Sequence, residues 1–128
     1  MPRPKAQYPS DAELNILDVL WKRGPSTVRQ VHDLLHAERN ASIGYTTVLK
    51  LMQIMAHKGL VERDESQRSH IYRPSDSQQE TQGGLVKDLI DRAFSGSSAQ
   101  LVLRALADRP VSTDELAEIR RFLEEHER

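Results

Sequence analysis

Residues 44–60 read GYTTVLKLMQIMAHKGL, and the order of polar and apolar side chains in this stretch decides what kind of fold the chain can have. Wound as a helix at about 100° per residue, it brings Val48, Leu51, Met52 and Met55 into one narrow sector, with Leu49 and Ile54 flanking it. A sector so apolar faces a core. On the opposite side Thr46, Lys50, Gln53 and His57 form a single file of donors and acceptors, and Gly59 closes the helix. Such a file is ordinarily a solvated face. Its neighbours in the chain give it a second use.

Toward the amino terminus, Ser10-Asp11-Ala12-Glu13 is a capping box, in which the hydroxyl and the carboxylate each satisfy an orphan backbone N–H. Leu14, Leu17 and Trp21 follow on one face, with Ile16 and Leu20 beside them, until Gly24-Pro25 stops the helix. A second box, Thr27-Val28-Arg29-Gln30, opens a helix that buries Val28, Val31, Leu34 and Leu35, and polar Glu38 to Ser42 reads as the loop that ends it. After Gly59 the period changes to two. LVERDESQRSHIYRP, residues 60–74, alternates through Val61, Ile71 and Tyr72 about the turn Asp64-Glu65-Ser66-Gln67, a hairpin closed by Pro74. Three helices and a hairpin predict a mainly α winged helix-turn-helix over residues 1–75, with the third helix presented outward and the hairpin as its wing.

Residues 76–128 predict a small helical dimerisation domain. SDSQQETQGG is a hinge or a frayed helix start, in which Ser77 to Glu80 could cap a fourth helix carrying Leu85, Val86, Leu89, Ile90, Ala93 and Phe94. Ser95-Gly96 ends it. A short helix over Ala99 to Ala107 carries Leu101, Val102, Leu103 and Leu106, and Ser112-Thr113-Asp114-Glu115 opens a last one with Leu116, Ile119, Phe122 and Leu123 on its inner side. About fifty residues seldom bury enough surface alone. A second copy is therefore the expected cover, and Leu85, Leu89, Phe94, Leu101, Val102, Leu103, Leu106, Leu116, Ile119 and Leu123 are the expected dimerisation residues.

Composition sets the outer bounds. The 128 residues are 38% hydrophobic and 29% charged, without cysteine, so disulfides, thiol nucleophiles and thiolate metal sites are excluded. No apolar run approaches the ~20 residues that cross a bilayer, and MPRPKAQYPSD lacks a signal-peptide core. The expectation is a cytoplasmic protein with no membrane insertion. A net charge of −1 conceals an asymmetry: residues 1–75 hold 11 Lys+Arg against 8 Asp+Glu, a balance of +3, while residues 76–128 hold 7 against 11, a balance of −4. A basic front and an acidic back predict different partners.

Enzyme chemistry finds no support. His32-Asp33-Leu34-Leu35-His36 has the spacing of a His-Glu-x-x-His zinc helix, but Asp replaces Glu and no third ligand stands nearby, so two boundary histidines are the better reading. There is no Gly-x-Ser-x-Gly elbow and no phosphate-binding glycine loop. Neither metal nor cofactor is expected. Nucleic-acid chemistry fits better. In the major groove Gln suits adenine, Lys suits guanine and a Thr methyl suits thymine, so Thr46, Thr47, Lys50 and Gln53 are the candidate base readers. Arg63, Arg68, His70 and Arg73 load the wing with donors for phosphates or the minor groove, and Thr27 and Tyr45 join helix-start amides as candidate phosphate clamps. The competing reading is a winged-helix protein-interaction module that leaves DNA alone.

DAELNILDVLWKRGPSTVRQVHDLL followed by YTTVLKLMQIMAHKGLVERDESQRSHIYRP closely resembles the BlaI/MecI family of transcriptional repressors, most specifically at Trp21…Gly24-Pro25 and Tyr45-Thr46-Thr47-Val48. The resemblance runs through residues 10–74 and more loosely from Leu85 to Leu123. It implies a homodimer of winged-helix domains, joined by helical carboxy-terminal domains, repressing transcription from a palindromic double-stranded DNA operator. It also implies an upstream sensor or protease, of no identity the sequence gives. Two positions depart from the family pattern. The paired carboxy-terminal cysteines of copper-responsive members are absent, and Arg104-Ala105 stands where antibiotic-responsive members carry the Asn-Phe bond that is cut on induction.

Overall fold

The structure, a computed structural model, describes residues 8–39 and 42–127. Residues 1–7, to which the leader reading belongs, and loop positions 40–41 lie outside the described residues, as does residue 128. Six helices and one two-stranded sheet follow in the order α1 (Asp11–Arg23), α2 (Val28–Arg39), α3 (Tyr45–Lys58), β1 (Val61–Asp64), β2 (Ile71–Pro74), α4 (Gln78–Ala93), α5 (Ser98–Asp108) and α6 (Thr113–His126). They divide into two compact units, Met1–Leu85 and Val86–Arg128.

The first unit is a winged helix. Its α1 begins at a complete capping box, with Glu13 N–H donating to Ser10 Oγ at 3.3 Å and Ser10 N–H to Glu13 Oε1 at 2.8 Å, a cap that stabilises a helix by about 1 kcal/mol. It ends where the Gly24 amide reaches Leu20 O at 2.8 Å with φ at 99°, a backbone angle that glycine adopts without a Cβ penalty. The second box closes as predicted: Gln30 N–H meets Thr27 Oγ1 at 3.2 Å and Thr27 N–H meets Gln30 Oε1 at 2.9 Å. Glu38 and Arg39 still belong to α2, so the helix outlasts the polar loop predicted from Glu38. Both are good helix formers, and polarity alone does not end a helix.

Ile16, Leu17, Val19 and Leu20 of α1 meet Val28, Val31 and Leu35 of α2 and Val48, Met52 and Met55 of α3 in one core, closed below by Leu60, Val61 and Tyr72. Leu14, Trp21 and Leu34, expected inside, are only partly buried at its edge. Because α1 packs against α2, α3 and β2 together, its covered face is wider than one stripe and centres on Ile16 and Leu20. Trp21 keeps its indole N–H satisfied at the edge by donating to Asp76 O at 3.3 Å.

The wing is an antiparallel pair in the register Val61↔Pro74, Glu62↔Arg73, Arg63↔Tyr72 and Asp64↔Ile71. The strands are joined by six residues, Glu65 to His70, rather than by a tight turn at Asp64 to Gln67. Asp64 stays in the ladder, and its carboxylate accepts from Ser66 N–H at 2.9 Å to start the bend. Ser26 adds an isolated bridge to β2: its N–H reaches Tyr72 O at 3.0 Å and Tyr72 N–H returns to Ser26 O at 2.8 Å. The segment before α2 is thereby tied to the wing.

Helix α4 runs unbroken through Gly83-Gly84, after a capping box in which Glu80 N–H meets Ser77 Oγ and Ser77 N–H meets Glu80 Oε1, both at 3.0 Å. Phe94 falls just beyond its last residue. Ser97 caps α5 through Gln100 N–H at 3.2 Å and Ser112 caps α6 through Glu115 N–H at 3.1 Å. None of α4, α5 and α6 has a buried residue. Among the described residues no helix is long and apolar enough to cross a membrane.

Candidate nucleic-acid interface

Helix α3 is held at both ends by residues outside it. At its carboxy end Lys58 Nζ donates to Glu13 Oε1 at 2.8 Å, and that carboxylate, only 3% exposed, is the same one that completes the α1 cap. One buried acid thus serves two helices, and α3 cannot rotate about its axis without leaving a buried charge unpaired. At the amino end, His36 Nε2 lies 2.9 Å from Ile43 O and the His32 ring meets Tyr45 edge-on at 6.1 Å. Gly44, the N-cap, offers no side chain to the first amides of α3, which are left available to an outside acceptor.

With Val48, Met52 and Met55 buried, Thr46, Thr47, Lys50 and Gln53 are all exposed. The structure divides them between two sides of the ridge. Gln53 faces a groove of about 300 Å³ that it shares with Thr27, Arg29, Tyr45, Leu49, Arg63, Arg68, Ser69, His70 and Tyr72. Thr46, Thr47 and Lys50 stand outside that groove on the outward ridge. Six predicted residues, Thr27, Tyr45, Gln53, Arg63, Arg68 and His70, therefore converge on one concavity between the start of α2, the face of α3 and the wing.

Charge on the wing is partly neutralised. Arg73 is outside the groove and pairs with Glu62 across the strands at 3.2 Å, and Arg63 pairs with Glu65 at 3.4 Å. Hydrogen bonding with the Tyr72 side chain, and next the Glu65 carboxylate, push Arg63 above the ordinary arginine pKa and hold it charged. Hydrogen bonds from Ser66 push the Asp64 carboxyl below its ordinary value, so it stays ionised at the wing's tip. Among the described residues, no carboxylate pairs with Arg29, Lys50 or Arg68.

Arg29 was not among the residues expected from the sequence. Its guanidinium lies 4.5 Å from the centroid of the Tyr45 ring, fixing a cation at the rim of the groove. A signal for it existed: the first turn of α2 contains no acid, and a cation there is disfavoured by the helix dipole. A cation placed against that preference serves something outside the helix. The two histidines of the zinc-like spacing have local partners, His32 Nδ1 at 3.0 Å from Asp33 Oδ1 and His36 at Ile43 O. No group of three metal-ligating side chains occurs among the described residues.

Every residue predicted to dimerise, including Leu85 at the end of the first unit, is half-buried or exposed, and Leu89, Val102, Leu103 and Leu123 are exposed outright. Arg104 pairs with Asp108 at 3.4 Å along the surface of α5.

The family model for the penicillinase repressor matches residues 9–125. The transcriptional regulator BlaI of Mycobacterium tuberculosis is 39% identical over 118 residues, covering 91% of this chain and 83% of that protein. The penicillinase repressor of Bacillus licheniformis is 23% identical over 117 residues, covering 91% of this chain and 90% of that protein. Among solved structures, the DNA-binding domain of the repressor BlaI superposes with a TM-score of 0.51 at 22% identity, over 62% of this chain and 93% of that one. That superposition concerns the fold.

Proposed function

The chain belongs to the penicillinase repressor family, and we propose that it is a sequence-specific DNA-binding transcriptional repressor acting as a homodimer on a palindromic operator. Helix α3 enters the major groove, where Thr46, Thr47, Lys50 and Gln53 read base edges. The wing lies on the flanking backbone or minor groove. The observation that carries this reading is the groove: exposed base-reading side chains adjoin Arg29 and Arg68, two cations that no carboxylate pairs with among the described residues. A phosphate seated there would meet both guanidiniums and the Thr27 hydroxyl, which fixes register while the ridge reads sequence.

The homodimer is supported by the second unit, in which Leu89, Val102, Leu103, Phe122 and Leu123 are exposed. One winged helix with a balance of +3 makes few phosphate contacts. Two joined units multiply affinity by raising effective concentration. Residues 1–75 are then the DNA-binding domain and 76–128 the dimerisation domain. For release, Arg104-Ala105 offers a protease selecting Asn-Phe neither its polar partner nor its aromatic ring, so the signal works through another protease or by loosening the dimer.

Titration of the whole chain with duplex DNA at stepped salt concentrations tests the reading. Affinity is expected to fall linearly on a log–log plot, by about 0.9 per phosphate neutralised. A protein-interaction module would ignore duplex DNA at every salt concentration.

A further inference from the structure

Only two large apolar side chains of the first unit are exposed among its described residues, and both are on α3: Tyr45 at 37% and Ile54 at 41%. Tyr45 has an evident role, since its ring carries Arg29 and meets His32. Ile54 has none of that kind. The sequence pattern places it beside the buried sector, yet the core closes over Val48, Met52 and Met55 without it. Helix geometry explains the difference: Ile54 lies about 40° around the axis from Lys50 and about 20° from Thr47, so it belongs to the outward face.

Local preference does not select an isoleucine there. A β-branched side chain is a weaker helix former than Lys, Gln or Arg, and Ile54 stays 41% exposed. The groove is not its neighbour either, because the lining comes from Tyr45, Leu49 and Gln53 on the other side of the ridge. On the helix surface Ile54 has Lys50 at i−4, Leu51 at i−3, His57 at i+3 and Lys58 at i+4, with Thr47 two turns away at i−7. The outward face therefore has two halves. One is polar and adjoins the wing through Gln53; the other sets a cation between a threonine and an aliphatic side chain.

In a major groove the only apolar feature on any base edge is the C5-methyl group of thymine. We propose that Ile54 is a specificity-determining residue that reads a thymine methyl group beside the base pair contacted by Lys50, so that one half of the α3 ridge selects by apolar contact and the other by hydrogen bonding. The inference rests on the proposed major-groove seating of α3. The occupant is the thymine methyl and not a second protein copy, because Ile54 is flanked by Lys50, a cation that a protein–protein core disfavours and a duplex attracts.

The experiment has two steps. The whole chain first selects its preferred duplex from a randomised pool, and each thymine of that duplex is then replaced singly by uracil, which deletes only the methyl group. Wild-type affinity is expected to drop about fourfold at one thymine per half-site, the factor for burying one methyl group. Ile54→Ala should bind the selected duplex more weakly and lose that uracil effect there while keeping any at other thymines. Ile54→Gln, a good helix former of similar length, guards against a folding artefact and should behave alike. If each uracil costs wild type and both variants the same factor, the assignment of Ile54 is overturned while the DNA reading stands. A pool from which nothing is selected overturns both. Sedimentation in which either variant alters the oligomeric state without DNA would show a protein partner at Ile54 and also overturn it.

Discussion

In Met1–Leu85 the aliphatic side chains of three helices and a hairpin close over one another, down to 0% exposure at Val31, Val48, Met52 and Met55. In Val86–Arg128 side chains of the same chemistry stay in the open: Leu103 is 61% exposed, Phe122 57% and Leu123 52%. Both stretches carry apolar stripes at helical spacing. The stripe states that a face will be covered, not by what. In the first unit the cover is the same chain, and the surface left over can be devoted to recognition. In the second these side chains stay uncovered within the unit, and under the proposed dimer a second copy would supply an identical stripe.

The contrast predicts different consequences for similar deletions. Met52→Ala should destabilise the first unit by about 2–5 kcal/mol, read as a lower thermal midpoint that does not depend on protein concentration. Leu103→Ala should instead leave the first unit's unfolding unchanged and make association weaker, visible in sedimentation at micromolar concentration. Equal, concentration-independent losses in both variants would break the comparison.

Within the first unit, Lys50→Ala and Gln53→Ala should each lose about 1–3 kcal/mol of discrimination at particular base pairs, whereas Arg68→Ala should weaken selected and random duplexes alike and reduce the salt slope by about one. Competition titrations at fixed salt separate the two behaviours. Retention of wild-type preference by both helix variants would remove α3 from the major groove.

A smaller effect is expected in α4, the helix that leads into the second unit. A Cβ added at Gly83 or Gly84 meets nothing within 4 Å, so either glycine replaced by alanine should stabilise α4 by about 1 kcal/mol. Amide exchange along α4 measures this. No slowing of exchange would mean that α4 is constrained by something other than its own helix propensity.

The smallest effect is a pH dependence at the same helix start. Backbone and side-chain hydrogen bonds from Ser77 hold Glu80 below its ordinary value of 4.5. The depressed folded-state pKa stabilises the cap above 4.5, and this is lost as pH falls through the folded value. Protection of the first-turn amides of α4, relative to the intrinsic exchange rate at each pH, should therefore fall as pH drops below 4.5. Exchange at Ser77 to Glu80 that ignores this interval would dissociate the cap from Glu80.

Much of this architecture was legible in the sequence because it is local. The boxes at Ser10, Thr27 and Ser77 and the stop at Gly24-Pro25 need only residues three or four apart, and all of them formed. The longer partnerships were not legible. Ser26 pairs with Tyr72 through backbone groups that every residue possesses, and Lys58 finds Glu13 across 45 positions. Composition carries no record of either. The ridge on α3 was readable as a type of surface, while its division into a groove side with Gln53 and an outer side with Lys50 and Ile54 depends on where the wing lies. The register Glu62↔Arg73 explains why Arg73 of the wing is turned to an internal pair.

The central claim is that the first unit reads DNA and the second supplies the dimer. It is tested most directly by comparing residues 1–85 with the whole chain, both by sedimentation equilibrium and by titration of the selected duplex at one salt concentration. A folded, monomeric fragment is expected, with the whole chain's sequence preference and about 10²–10⁴-fold weaker binding. A fragment that sediments as a dimer, or binds the duplex as tightly as the whole chain, would contradict it.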